Sequence, residues 1–212
     1  LWRTLISTKV GIQMSLLRKN NDIEFYAVPN QHWVISAEYP FYKDLEKLFD
    51  FTNEDISKGS CTVQGLQKPI LNKEWEKERD EYKKWFLNVF KQMDVPITKI
   101  SDREQEPEHK AWTINYFPGG WQAGHFHSTN KVNQNNKRFA SSVMFFDELK
   151  PTKKNPFNGC LYTVLQDPSG YSYDHKFHPS PGKVVVMDDR VWHGAYPCED
   201  NRRCLVWDFD IE

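Results

Sequence analysis

His125 and His127, separated by Phe126, are the first residues in this chain whose types and spacing could do chemistry. Side chains two apart on a strand point to the same face, so both imidazoles can reach one ion. A third histidine, His193, follows at long range, after a strand ending in Met187 and the loop Asp188–Trp192. Neutral imidazoles are ligands for Zn, Fe, Ni or Cu. Arg202 and Arg203 then open the last apolar run, and a guanidinium is a rigid fork for a carboxylate. Each feature alone has a bland reading. HxH pairs occur by chance on surfaces, a lone histidine before a glycine is more often structural, and an arginine pair usually ends in solvent. Together they describe three imidazoles with a cation at short range, which a purely structural metal site would not need.

The elements that must hold these residues are strands. Apolar runs at Ala111–Phe117, Phe139–Phe146, Cys160–Leu165, Lys183–Met187 and Cys204–Phe209 are separated by turn chemistry. The breaks fall at Pro118-Gly119-Gly120, the polar stretch 128–138, Pro151–Gly159, Asp167–Gly170 and Pro179–Gly182. Helical signals come earlier. Asn72 caps a predicted helix reaching about Met93, with Trp75, Tyr82, Trp85, Phe86, Val89, Phe90 and Met93 near helical spacing. A shorter helix is predicted over Phe41–Phe49, and one or two strands over 23–37, split at Pro29-Asn30. Helices followed by short strands predict an α+β, mainly β chain: a double-stranded β-helix (jelly-roll or cupin-like) barrel backed by N-terminal helices. The expected organisation is a single domain over 1–212, with a support layer over 1–100 and a catalytic barrel core over 101–212.

The blocks INYFPGGWQAGHFH, KRFASSVMFF, NGCLYTVL, HPSPGKVVVMDDRVWHGAYP and NRRCLVWDFD occur in that order. From about Trp112 to Asp210 the chain thereby resembles the Fe(II)- and 2-oxoglutarate-dependent oxygenases, especially the prolyl-hydroxylase-like branch and related phage and bacterial enzymes. The resemblance implies Fe(II) held by His125, His127 and His193, 2-oxoglutarate as co-substrate, O₂ as oxidant and hydroxylation of an unidentified substrate. One departure stands out: the family's usual second ligand is Asp or Glu, and here the position is His127. The phage-like branch includes HxH members, so the site reads as three histidines, more positive by one charge and favouring an anionic co-ligand. A halogenase-like site with an open position is disfavoured, because histidine is not small.

The family places a cation for 2-oxoglutarate at the start of the last strand, so either Arg202 or Arg203 is the candidate. An inward Arg202 shares its face with Cys204, Val206 and Asp208; an inward Arg203 shares its face with Leu205, Trp207 and Phe209. The small Cys204 leaves more room for a co-substrate, and the separation of Arg202 from His193 is the commoner one in the family, so Arg202 is favoured.

Composition narrows the partners. A formal net charge of −1 gives no electrostatic reason to expect nucleic acid or an anionic membrane. No apolar stretch is long enough for a membrane-spanning helix. Cys61, Cys160, Cys198 and Cys204 show neither a CxxC pair nor a disulfide framework, which reads as reduced thiols in a cytoplasmic protein. The opening LWRTLISTKVGIQMSLL lacks the apolar core of a signal peptide. Asp188-Asp189 reads as a solvated turn, and His109, His175 and His178, Arg138, Gln122, Trp112, Trp121 and Trp192 all have ordinary structural readings. Two rival functions stay open: a zinc hydratase or hydrolase with three histidines, and an inactive cupin-like binding module. The substrate, a small molecule or a peptide, and the oligomeric state are not legible.

Overall fold

Central strands buried on both faces, and one apolar stripe along a long helix, set up the architecture. The computed structural model describes residues 18–20, 22–27, 32–51, 61–103, 110–127, 138–166 and 170–212. The strands are β1 (Arg18–Asn20), β2 (Ile23–Ala27), β3 (Trp33–Glu38), β4 (Thr62–Pro69), β5 (Ile100–Asp102) and β6 (Ala111–His125). They continue with β7 (Arg138–Phe145), β8 (Leu161–Gln166), β9 (Ser172–Phe177), β10 (Lys183–Asp188), β11 (Trp192–Ala195) and β12 (Arg202–Ile211). The helices are α1 (Tyr42–Glu46) and α2 (Lys73–Gln92).

The strands pair in the order β1-β2-β3-β10-β7-β12-β6-β11-β8-β9, with β4 added against β6 and β5 against β12. This sheet curls over on itself. One apolar cluster joins Val185 and Met187 of β10, Val143 and Phe145 of β7, and Cys204 and Val206 of β12 to Leu161 and Leu165 of β8 and Phe177 of β9. Strands at opposite ends of the pairing order can share that cluster only if their inner faces meet. The alternate residues Leu205, Trp207, Phe209 and Ile211 of β12, with Val184 and Val186 of β10, pack outward against α2. The period of two along β12 thus divides it between a barrel interior and a helix-backed layer. The fold is the mainly antiparallel, curled β architecture expected from the sequence.

Helix α2 begins where its cap predicts: the Asn72 side chain accepts from the Trp75 N–H at 2.8 Å. Its stripe of Trp75, Tyr82, Phe86, Val89 and Phe90 is buried against the outer face of the sheet. Trp207 meets Trp75, Tyr82 and Phe86 there with ring centroids 5.7–6.1 Å apart. The predicted shorter helix is present as α1, and β2 and β3 occupy the expected 23–37 region; the Pro29-Asn30 break and the polar stretch 128–137 lie outside the described residues.

Two features differ from the sequence reading. Pro118-Gly119-Gly120 does not end a strand: β6 runs through it, with a register irregularity against β4 between Val63 and Gly65. Gly119 takes a positive φ of 85°, and a Cβ on Gly120 would lie 2.6 Å from the Gln64 carbonyl oxygen, so the kink needs both glycines. The strands β1, β4, β5, β9 and β11 also exceed the expectation. β4 carries Gly and Pro, β9 lies at one end of the pairing order, and the four residues of β11 are too few to show a period. No helix among the described residues is long and apolar enough to cross a membrane, and all four cysteines are free thiols.

Candidate metal centre at the mouth of the barrel

Strands β6 and β11 pair antiparallel with His125 directly opposite His193. Residues facing each other across a ladder project to the same side, which brings the two rings to a centroid distance of 4.4 Å. His127 lies just beyond the end of β6, and its ring stacks 5.2 Å from that of His125. One ring nitrogen from each of the three histidines lies within 4.8 Å of the other two.

The hydrogen bonds fix which nitrogens face inward. His125 Nδ1 donates to the Ala123 carbonyl and His193 Nδ1 to the Val191 carbonyl, both at 2.9 Å. His127 Nδ1 donates to Asp208, whose two carboxylate oxygens are each 3.0 Å away. With every Nδ1 proton so committed, the lone pairs of the neutral rings are left on Nε2. Burial pushes His193 well below the usual histidine range, and the neighbouring His127 and His125 push it further. Burial lowers His125 as well. Protonating His193 or His125 is therefore a poor way to relieve the facing lone pairs, and a metal cation is a good one. The spacing fits: the Nε2 atoms of His125 and His127 are 3.2 Å apart, and two nitrogens bound about 2.1 Å from one ion at right angles would be about 3.0 Å apart.

The two arginines have opposite surroundings. Arg203 is committed elsewhere, with Nη2 2.6 Å from Asp147 and 2.8 Å from Glu46. Arg202 is 2% exposed, on the inward face of β12. Its guanidinium lies 3.9 Å over the Tyr116 ring and donates from Nη1 to the Gly159 carbonyl, while Nε has no partner. Among the described residues Arg202 has no carboxylate partner, and an unpaired buried charge is costly. Among the described residues four further inward polar atoms are buried without hydrogen-bond partners: Thr163 Oγ1 on β8, His175 Nε2 on β9, Ser141 Oγ on β7 and Trp112 Nε1 on β6. Thr163 sits directly opposite His193, and Ser141 opposite Asp208.

No protein-family model matches the chain, and no curated protein matches its sequence. Solved structures do match. An oxidoreductase of the 2OG-Fe(II) oxygenase family from Burkholderia pseudomallei superposes with a TM-score of 0.52 at 12% identity, covering 82% of this chain and 84% of that one. A Pseudomonas putida prolyl-4-hydroxylase matches with a TM-score of 0.47 at 16% identity, over 70% of this chain and 72% of that one. A Trichoplax adhaerens prolyl hydroxylase, solved with a hypoxia inducible factor peptide fragment, matches with a TM-score of 0.49 at 14% identity, over 80% and 74%. This chain has the fold of the 2-oxoglutarate- and iron(II)-dependent oxygenases.

Within this oxygenase fold the flanking residues divide. Trp112 packs on His127 at 5.8 Å, whereas Trp192 is exposed beside Phe126, also at 5.8 Å. Trp121 is exposed, and Gln122 donates to Thr62 at 3.4 Å. His175 rests on the Tyr26 ring and His178 contacts Cys160 Sγ at 3.2 Å, so the two have separate partners; His109 lies outside the described residues. Asp188 is buried rather than part of a solvated turn, and pairs with Arg138 and with His32 at 3.2 Å. Sequence reasoning missed Asp208, Arg103, Thr163 and Ser141. The available signal was alternation: on a strand with Arg202 inward, Asp208 is a carboxylate at an inward position.

Proposed function

We propose that this chain is an Fe(II)- and 2-oxoglutarate-dependent dioxygenase that hydroxylates a small-molecule or peptide substrate. What supports this most is one juxtaposition: three clustered imidazoles share a barrel with a buried arginine that has no carboxylate partner among the described residues. A buried polar group left unmade costs about 1–3 kcal/mol, and a charged one more, so the interior is built around a polar ligand. His125, His127 and His193 would hold the metal, each ring oriented by its Nδ1 hydrogen bond. Arg202 would pair the far carboxylate of 2-oxoglutarate, with Thr163 Oγ1 as a further donor on the inner wall. Bound there, Fe(II) and the keto acid supply the oxidising power to hydroxylate a C–H bond with O₂, releasing succinate and CO₂. The apolar lining around Arg202, including Tyr116, Cys204 and Val206, keeps water from the guanidinium and strengthens its hold on an anion. A zinc hydratase would use the same three imidazoles but leaves Arg202 without a role. The four free thiols support a reducing, cytoplasmic setting. The fold does not select the substrate.

The test is succinate release from 2-oxoglutarate by protein reconstituted with Fe(II) and then exposed to O₂. Wild type is expected to release succinate slowly even without its substrate. Arg202→Ala is expected to weaken 2-oxoglutarate binding by about 10- to 100-fold, the loss of roughly 1.4–2.8 kcal/mol from a charge-assisted pair. Arg203→Ala is expected to lower stability and leave that binding intact. Succinate release that ignores Arg202→Ala and responds to Arg203→Ala would overturn the assignment.

A further inference from the structure

We propose that Asp208 is a positioning residue of this metal centre, an inner-wall carboxylate that acts on the metal through His127. The inference rests on the three-histidine reading above. Two of the three rings donate to neutral backbone carbonyls, at Ala123 and Val191; only His127 donates to a carboxylate. Three neutral imidazoles leave a divalent ion uncompensated, and Asp208 is the acid in contact with any of them among the described residues. Its two oxygens lie equally far, 3.0 Å, from His127 Nδ1.

The barrel does not require an acid at this position. The preceding inward residues of β12 are Arg202, Cys204 and Val206, and Asp208 itself is 4% exposed. A carboxylate in such a place is costly unless it is paired. Arg103 meets that need as a second partner. Its guanidinium lies 3.6 Å over the Phe139 ring, with Nη1 3.5 Å from Asp208 and Nε 3.8 Å from Asp210. Arg103 and His127 are therefore both partners of Asp208, and the two contacts orient the carboxylate. A carboxylate so fixed holds the proton of His127 on Nδ1, turns Nε2 toward His125 and His193, and raises the basicity of the ring as a ligand. The negative charge at this centre stands one ring back from the metal.

The experiment titrates the full-length, metal-stripped protein with Co(II) anaerobically, following its visible ligand-field bands. Wild type is compared with Asp208→Asn and Asp208→Ala. Far-UV circular dichroism and the metal-free melting temperature identify variants that remain folded. Asp208→Asn keeps an acceptor for His127 and removes the charge; should Asp208→Ala not fold, it carries the test alone. The expected result is Co(II) affinity weakened by about 10-fold in Asp208→Asn and toward 100-fold in Asp208→Ala, with bands displaced from wild type most in the latter. Folded variants that bind Co(II) as tightly as wild type, with unchanged bands, would overturn the role of Asp208 and leave the metal centre standing. Wild type that binds no Co(II) would overturn the metal centre, and this inference with it.

Discussion

His125, His127 and His193 were legible as a candidate cluster because their chemistry needs only residue type and strand period, and the fold brings the three rings together. Arg202 was legible for the same reason: the alternation that puts Leu205, Trp207 and Phe209 against α2 turns Arg202, Cys204 and Val206 to the interior. Asp208 was visible as an inward acid, but its partner was not, because His127 and Arg103 come from strands or loops far away in the chain. Asp188 and Asp189 were read as a solvated turn, since two adjacent acids usually are. In the fold, Asp188 pairs with Arg138 and takes the charge, while burial and the neighbouring Asp188 push the Asp189 carboxyl up to about 7. A folded-state pKa above the unfolded one stabilises fully below the unfolded value, near 3.8, and loses that contribution as pH rises through about 7. Asp189→Asn imitates the protonated acid. Its melting temperature is expected to exceed that of wild type at about pH 8 and to match it at about pH 4. A gain of equal size at both pH values would show that the substitution acts through packing instead.

Elements with a strong period were legible, and those without one were not. α2 combines a cap, an apolar stripe and a charged outer face, so its position follows from local rules alone. Its energy comes mainly from packing. Phe86→Ala, which empties a fully buried site between Tyr82, Trp207 and Phe209, is expected to destabilise by about 3–5 kcal/mol. Asn72→Ala, which removes only the cap, is expected to cost about 1 kcal/mol. Urea denaturation measures both, and equal losses would contradict this division. β11 is the opposite case: Trp192–Ala195 is too short to show alternation and becomes a strand only through β6 and β8 on either side. The strand that carries His193 was thus read as a loop end, although the histidine itself was singled out. Pro118-Gly119-Gly120 misled for a related reason. The residues that usually end a strand here bend one, which lets β6 pair with β12 along its first half and β11 along its second.

For the molecule as a whole, fold class was legible and strand order was not. Period and turn residues identify strands, but the pairing of β3 with β10 joins segments that nothing in either sequence links. That pairing extends the sheet that carries the barrel, so the first hundred residues contribute strands to it as well as helices beside it. Closure places the outer face under α2 and leaves the inner one lined by Arg202, Thr163, Ser141 and Trp112 around three imidazoles. The central claim is that metal and 2-oxoglutarate meet in this interior. The most direct measurement is the visible spectrum of anaerobic protein carrying Fe(II), recorded as 2-oxoglutarate is added. The account predicts a weak charge-transfer band that saturates at one Fe(II) per chain and is absent from folded His193→Ala. A wild-type protein that binds Fe(II) and shows no band, or a band that persists undiminished in His193→Ala, would contradict it.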